Sequence, residues 1–161
     1  MRPPGITRHL RGRLILAFVG VIAVAMLVLV AVVPALARTH QLAVLEDRLA
    51  DQAQLVADYV ATELEHGEGA NLDVLAKRLG QRSQTRITII ALDGTVLGES
   101  HQDLTQVGNH AGRREVQQAL AGARGVDLHY SETVGYEMLY VAVPILRSGN
   151  VVGTARAALP L

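Results

Sequence analysis

The sequence contains no cysteine and no tryptophan among its 161 residues. Without cysteine there can be no disulfide framework, no thiolate metal site and no cysteine nucleophile. The formal net charge is zero, so the chain lacks the basic surface of a DNA or RNA binder. Aromatic residues are too few for the stacking platforms that bind single-stranded nucleic acids. We therefore expect no nucleic-acid partner. The aromatic residues are Phe18, Tyr59, Tyr130, Tyr136 and Tyr140.

The motifs of common catalytic centres are also missing. There is no H-E-x-x-H zinc-protease motif, no G-x-S-x-G nucleophile elbow, no P-loop and no G-x-G-x-x-G phosphate-binding turn. His101, Asp103 and His110 would hold a metal only if their loop folded around it, and loop histidines outside a motif are more often solvated. We expect no catalytic residue, no cofactor and no metal site.

What the chain has instead is a long apolar run near its N-terminus. Residues Leu14–Ala37 include no charged side chain over 24 positions. At about 1.5 Å per residue a helix of this length reaches roughly 36 Å, enough to cross a hydrocarbon core of about 30 Å. The run predicts a transmembrane helix in a lipid bilayer. The alternative is a cleaved signal peptide, since Ala35-Leu36-Ala37 resembles a cleavage site, but signal cores are normally about 7–15 residues long.

The charges on either side of this run predict its orientation. Residues 1–13 form a leader with four arginines and no acid, whereas the residues after Ala37 contain 11 Lys and Arg against 15 Asp and Glu. Cytoplasmic flanks retain positive charge close to the membrane. We expect a single-pass protein of the inner or plasma membrane, with a cytoplasmic N-terminus and the remainder outside the cytoplasm.

Residues 38–66 predict a long extracytoplasmic helix that continues the membrane span. They contain no glycine or proline, and apolar residues recur with a period close to that of a straight helix. One interpretation is that this stripe packs only on its own domain. The other is that part of it meets a second copy, and we expect such a homodimer. The stripe is Leu42, Leu45, Leu49, Ala53, Val56, Val60 and Leu64.

The remaining residues, 67–161, predict a small α+β domain. Gly67-Glu68-Gly69 ends the long helix, and Asn71 caps a short second one. Two strands joined at Asp93-Gly94, a helix and three further strands follow, which gives one five-stranded antiparallel sheet with flanking helices. Pro144 is expected at an edge or bulge of its strand. The predicted boundaries are Arg86–Leu92, Thr95–Gly98, Arg113–Ala121, Val126–Glu132, Met138–Leu146 and Val151–Leu159.

This order of elements resembles the PAS-like extracytoplasmic sensor fold, often called a Cache or PDC domain. Four segments are more specific: RITIIALDGTVLGES, VGNHAGRREVQQALAGARG, HYSETVGYEMLYVAVPI and VVGTARAALPL. They resemble the sensor region of phosphate-regulon-type and related two-component sensor histidine kinases. Arg114 stands where that family usually has proline, and His129 where it often has arginine.

The resemblance implies a sensory input module that passes the binding of a small molecule or a partner protein through the transmembrane helix. Such kinases continue into a second membrane helix and a kinase core, which this sequence lacks, so we expect it to be the sensory part of a longer protein. The alternative is a membrane-anchored or secreted binding module without signalling output. A titratable ring, a guanidinium and phenolic hydroxyls suit a small polar or anionic ligand. The candidate ligand-binding residues are His110, Arg113, Tyr130, Tyr136 and Tyr140.

Overall fold

A computed structural model describes residues 6–66, 71–131 and 135–161 of the chain. The chain divides into two compact units, Met1–Ala43 and Val44–Leu161. Helix α1 extends across this division as one continuous helix. The elements are α1 (Ile6–His66), α2 (Leu72–Ser83), β1 (Arg86–Ala91), β2 (Val96–Glu99), a 3-10 turn (Leu104–Gln106), α3 (Arg114–Leu120), β3 (Gly125–Ser131), β4 (Tyr136–Arg147) and β5 (Asn150–Pro160).

The first unit consists of the N-terminal part of α1. Its apolar stretch Gly12–Val33 is long enough to cross a membrane, and none of its side chains is buried by protein. A soluble helix would bury these side chains, so their exposure is consistent with lipid as their surroundings. The predicted span Leu14–Ala37 overlaps this stretch. The predicted helix end at residues 67–69 lies outside the described residues.

The second unit is built on a five-stranded sheet in the order β2-β1-β5-β4-β3, with every neighbouring pair antiparallel. The last strand along the chain is therefore central. The pairing of β3 with β4 stops at Gly125 and Ala142. Pro144, two residues further along β4, consequently has a strand partner on one side only, and a bulge follows between Ile145 and Leu146. Pro144 therefore lies beside a free strand edge and next to a bulge, as predicted.

One face of the sheet is apolar and is covered by α1 and α2. Leu49, Ala53, Val56 and Val60 of the predicted stripe are buried against sheet residues such as Ala155. Small side chains on β5 let the helix lie close to the sheet. The middle of the stripe therefore packs on its own domain. Its end residues Leu42 and Leu64 are 39% and 36% exposed.

The other face of the sheet is polar and is partly covered by α3. Gly125 lies directly beneath this helix, and a β-carbon there would come within 2.0 Å of the Glu115 carbonyl oxygen. Only glycine permits so close an approach. The two faces differ because alternate strand residues point to opposite sides of a sheet. The polar face is the one that holds a candidate site.

The predicted fold class, element order and sheet are confirmed, with small corrections at element ends. Asn71 caps α2 by accepting a hydrogen bond from the Val74 amide at 3.1 Å. Thr95 does not begin β2, because its amide is held by the Asp93 side chain within the turn. Helix α3 is one residue shorter at each end than predicted, and Arg113 and Ala121 occupy its cap positions. Strand β4 begins at Tyr136, two residues earlier than predicted.

Candidate functional site

A pocket of about 330 Å³ opens on the polar face of the sheet. Its walls come from β1, β3, β4, β5 and the loop between β2 and α3. Three arginines and two histidines contribute, and among the described residues no carboxylate side chain lines it. Such a wall favours an anionic ligand. The lining residues are Arg86, Gln102, Gln106, Val107, Gly108, Asn109, His110, Arg113, His129, Tyr130, Ser131, Tyr140 and Arg156.

Arg86 is fixed at the floor of the pocket by a buried ion pair. Its Nε and Nη2 atoms donate to the two carboxylate oxygens of Glu99 at 3.1 and 3.2 Å. The Thr88 hydroxyl donates to the same carboxylate at 3.0 Å, and Arg86 Nη2 also donates to Gln102 at 3.1 Å. The guanidinium is thus held in one orientation by its two-pronged contact.

Arg156 forms the second buried ion pair. Its Nη1 donates to Glu115 Oε1 at 3.1 Å and its Nη2 to the Thr88 hydroxyl at 3.2 Å. The guanidinium carbon lies 5.0 Å from the centre of the Tyr140 ring, within the range of a cation–π contact. Thr88 accepts from Arg156 and donates to Glu99, so one hydroxyl links the two pairs.

Asn109 and His110 belong to a loop that is held to the β1–β2 turn. The Asn109 amide donates to the Asp93 carbonyl at 2.9 Å, and the His110 backbone amide donates to the Gly94 carbonyl at 2.9 Å. Asn109 also accepts from the Ala111 amide at 2.8 Å. Asn109 therefore fixes the loop through local backbone bonds, which places the His110 ring against the arginines.

The environment of His110 favours the neutral ring. Burial lowers the pKa of His110 from 6.5 to about 4, and the positive charges of Arg156, Arg113 and Arg86 act in the same direction. The charge of Glu99 opposes them. His110 is consequently an uncharged wall residue at neutral pH.

Of the three arginines that line the pocket, Arg113 is the one held least by other side chains. Its side chain is exposed, and its described contact is a long one, 3.5 Å from Nη1 to His129 Nε2. The other two arginines each face a buried carboxylate, so their charges are offset within the protein. Arg113 therefore supplies the unbalanced positive charge of the pocket wall.

Four of the five predicted ligand-binding residues line this one pocket: His110, Arg113, Tyr130 and Tyr140. Tyr136 does not. It lies at the start of β4, opposite Ser131, and is half exposed. It is four positions from Tyr140 along the strand, a distance of about 13 Å. Ligand contact by any of the five stays a prediction.

Sequence reasoning missed the two buried ion pairs. Arg86 and Thr88 alternate with Ile87 and Ile89 along β1, and Arg156 stands between two alanines on β5. This period-two alternation of charged and apolar residues was a signal, because it places the polar residues together on one face. Glu99 and Glu115 carried no such signal, since their pairing depends on sheet register and on the position of α3.

The loop residues considered for metal binding are engaged elsewhere. The Asp103 carboxylate caps the 3-10 turn by accepting from the Thr105 amide and hydroxyl, which lowers the pKa of Asp103. His101 Nδ1 lies 2.8 Å from the Ser100 hydroxyl. Both side chains are exposed, and only His110 of this group lines the pocket.

Comparisons with known proteins agree on the kind of domain. A family model described as single Cache-like matches residues 40–159. No curated protein gives a match. Two solved sensor domains share the fold. That of the histidine kinase DctB from V. cholerae has a TM-score of 0.63 at 20% identity over 77% of this chain, and that of DcuS from E. coli has 0.59 at 15% identity over 72%.

A third similar structure is the ligand-binding domain of the P. fluorescens chemoreceptor CtaA in complex with L-alanine, with a TM-score of 0.58 at 14% identity over 72% of this chain. The chain covers 88% of the DcuS domain, but only 52% of the DctB domain and 51% of the CtaA domain. At these identities the likeness shows the fold alone.

Proposed function

The chain belongs to the single Cache-like family, and on that premise we propose that it is the extracytoplasmic sensory module of a membrane-bound two-component sensor histidine kinase. In this proposal a small organic anion binds the pocket on the polar face of the sheet. Helix α1, continuous from Ile6 to His66, passes the change across the membrane. The observation that supports an anionic ligand is that three arginines, and no carboxylate among the described residues, line the pocket.

The size and charge of the pocket support a small anion. A volume of about 330 Å³ is at the lower end of the range for small-molecule sites. The two buried ion pairs cancel their own charges, so Arg113 leaves a net positive wall. An amino acid would bring an ammonium group as well as a carboxylate. The described lining offers that ammonium no carboxylate, only neutral acceptors and tyrosine rings, so we expect a carboxylate without an ammonium to bind better.

Signalling requires that the ligand favour one of two arrangements of the receptor. The ligand can shift the equilibrium between these arrangements by no more than the difference in its binding free energy for the two. We propose that the chain works as a homodimer in which α1 changes position relative to its mate. Because the chain has no cysteine, a single Leu64→Cys substitution gives a clean test. Oxidation in membranes should produce a crosslinked dimer, and a purely monomeric product would contradict this part of the proposal.

Ligand binding is tested by thermal unfolding of the full chain in detergent. Short organic acids, inorganic phosphate and L-alanine are compared as probes. Binding to the native state raises its stability by about 2.7 kcal/mol when free ligand is about 100 times Kd. We expect an organic acid to raise the melting temperature more than L-alanine does.

Two neighbouring arginines provide a matched pair of variants. Arg113 lines the pocket, whereas Arg114 is exposed and does not. Arg113→Gln should abolish the ligand-induced shift, and Arg114→Gln should retain it. Equal shifts in both variants, or no shift with any probe, would contradict the proposed anion site.

The signalling role and the orientation are tested separately. In a chimera with a histidine kinase core, the ligand found by thermal unfolding should change the autophosphorylation rate. If the ligand binds but the autophosphorylation rate does not change, the signalling role is contradicted and the alternative, a binding module without signalling output, is supported. For orientation, a cysteine at exposed Gln81 should react in intact cells with a maleimide that cannot cross the membrane, whereas a cysteine in place of Arg2 should not.

A further inference from the structure

A carboxylate oxygen between α3 and the sheet has no hydrogen-bond partner. Glu115 is fully buried, and its Oε1 accepts from Arg156 at 3.1 Å. Its Oε2 has no partner among the described residues. A buried carboxylate oxygen without a donor or a cation carries a desolvation cost that native proteins seldom leave uncompensated. This oxygen is therefore available to a further donor or a cation.

Two further metal-ligating side chains lie beside Glu115. Asp127 and His129 are two residues apart on β3 and so point to the same side of the sheet. One ligand atom from each of the three residues can be chosen so that all three lie within 4.8 Å of one another. The close approach of α3 at Gly125 produces this arrangement, because it brings the first turn of the helix over β3.

Asp127 and His129 are already oriented by their surroundings. His129 Nδ1 lies 3.1 Å from Asp127 Oδ2, and the His129 ring is stacked on the buried Tyr140 ring. The side chains of His129 and Asp127 are 23% and 27% exposed. An ion could therefore reach them from solvent and would find the ring held in place. The stack on Tyr140 fixes the plane of the ring without using either ring nitrogen.

We propose that Glu115, Asp127 and His129 form a binding site for a divalent transition-metal ion such as Zn²⁺. Asp127 supplies a negative charge and Glu115 a second carboxylate oxygen, and an imidazole nitrogen with carboxylate oxygens is a donor set that Zn²⁺ accepts. Mg²⁺ and Ca²⁺ prefer oxygen ligands alone. Three protein ligands leave coordination positions for water or an external anion.

Two arginines lie near the triad and limit its affinity. Arg156 remains on Glu115 Oε1, so the second oxygen of that carboxylate is the one available to the ion. If the metal binds His129 Nδ1, the ring proton must be on Nε2. A protonated Nε2 cannot accept a hydrogen bond, so the 3.5 Å contact from Arg113 would be lost. Arg113 is exposed, and it can turn into solvent when that contact is lost.

No metal site was expected from the sequence, in which His101, Asp103 and His110 were the candidate ligands weighed. The triad arises from the packing of α3 on β3, which spacing alone does not reveal. The proposal does not depend on the anion-binding function, since it concerns uptake of the ion by the chain itself.

The experiment uses the full chain in detergent, without a histidine tag, after treatment with a chelator and dialysis. Zn²⁺ is titrated by calorimetry, and bound zinc is measured by elemental analysis. We expect one zinc per chain. The variants His129→Gln and Asp127→Asn should each weaken binding by about tenfold or more. His101→Gln is the matched control, because that histidine is exposed and outside the triad, and it should bind as the unaltered chain does.

Zinc should also raise the melting temperature of the unaltered chain, and an excess of Mg²⁺ should not displace it. Uptake of zinc that is not stoichiometric would overturn the proposal. So would equal affinities of His129→Gln, Asp127→Asn and the unaltered chain. Because both altered side chains are partly exposed, two independent variants are available should one of them fold poorly.

Discussion

The His129 ring stacks on the Tyr140 ring, with ring centres 4.1 Å apart and planes 5° from parallel. His129 faces the pocket from β3, and Tyr140, which is 3% exposed on β4, lies diagonally across from it, opposite Asp127. The Tyr140 hydroxyl points along its own strand to the Met138 sulfur at 3.6 Å. A wall residue of the pocket is thus supported by a ring that belongs to the body of the sheet.

Tyr140→Ala should therefore be strongly destabilising. Loss of a buried aromatic ring costs about 3–5 kcal/mol, since both burial and packing are lost. Tyr136→Ala, on the same strand but half exposed, should cost less than about 1 kcal/mol. Thermal and chemical unfolding of both variants measures the difference, and similar losses would mean that Tyr140 is not buried as described.

Glu99→Gln should destabilise the fold because it leaves the Arg86 guanidinium buried without its carboxylate. Breaking one partner of a buried ion pair costs about 3–5 kcal/mol. Glu46→Gln is the matched control, since Glu46 pairs with Arg124 at the surface. That exposed pair should contribute about 1 kcal/mol or less. Denaturant unfolding distinguishes the two, and a small effect at Glu99 would contradict the described pair.

Gly125→Ala should displace α3 from the sheet. Its new β-carbon would come within 2.0 Å of the Glu115 carbonyl oxygen, so helix and strand must separate. Overpacking of this kind costs about 1–3 kcal/mol and sometimes more. Gly112→Ala, where no atom lies within 4 Å of the added carbon, should be nearly neutral. Equal stabilities in thermal unfolding would show that α3 is not seated on Gly125.

Acid should weaken the fold partly through His110. Its pKa is about 4 in the folded chain against an ordinary value of 6.5, so between these values the unfolded chain binds more protons. The free energy of unfolding therefore falls as the pH is lowered through this window. The effect is on the order of 2 kcal/mol once solvent screening is allowed for.

His110→Gln removes this titration. Unfolding measured at a series of pH values should show a smaller loss of stability below pH 6.5 in the variant than in the unaltered chain. Carboxylates titrate in both proteins, so the difference between the two curves isolates His110. Parallel curves would mean that the histidine is not buried in its neutral form.

Much of the fold follows from local patterns in the sequence. The stripe through Leu49 and Val56 predicted the helix and its buried face, and Asp93-Gly94 predicted the turn between β1 and β2. These features depend on residues a few positions apart, where periodicity and turn chemistry are informative. The order of the strands in the sheet could not be read in this way.

The candidate site was predicted only in part. His110 and Arg113 lie near one another in sequence, and Tyr140 belongs to a clearly patterned strand, so their positions could be inferred. Arg156 and Glu115 are 41 residues apart, and their pairing depends on how closely α3 approaches the sheet. Contacts that long-range packing creates leave little trace in a single sequence.

The central position of β5 also affects how the sheet is assembled. The β1–β2 and β3–β4 hairpins are synthesised first, yet each has one edge that only β5 can fill. Until that strand arrives, both hairpins expose unpaired backbone groups, which are prone to wrong pairing with other chains. Pairing between strands that are far apart in the sequence also slows folding. A nascent chain would therefore gain from protection until β5 has been synthesised and can pair.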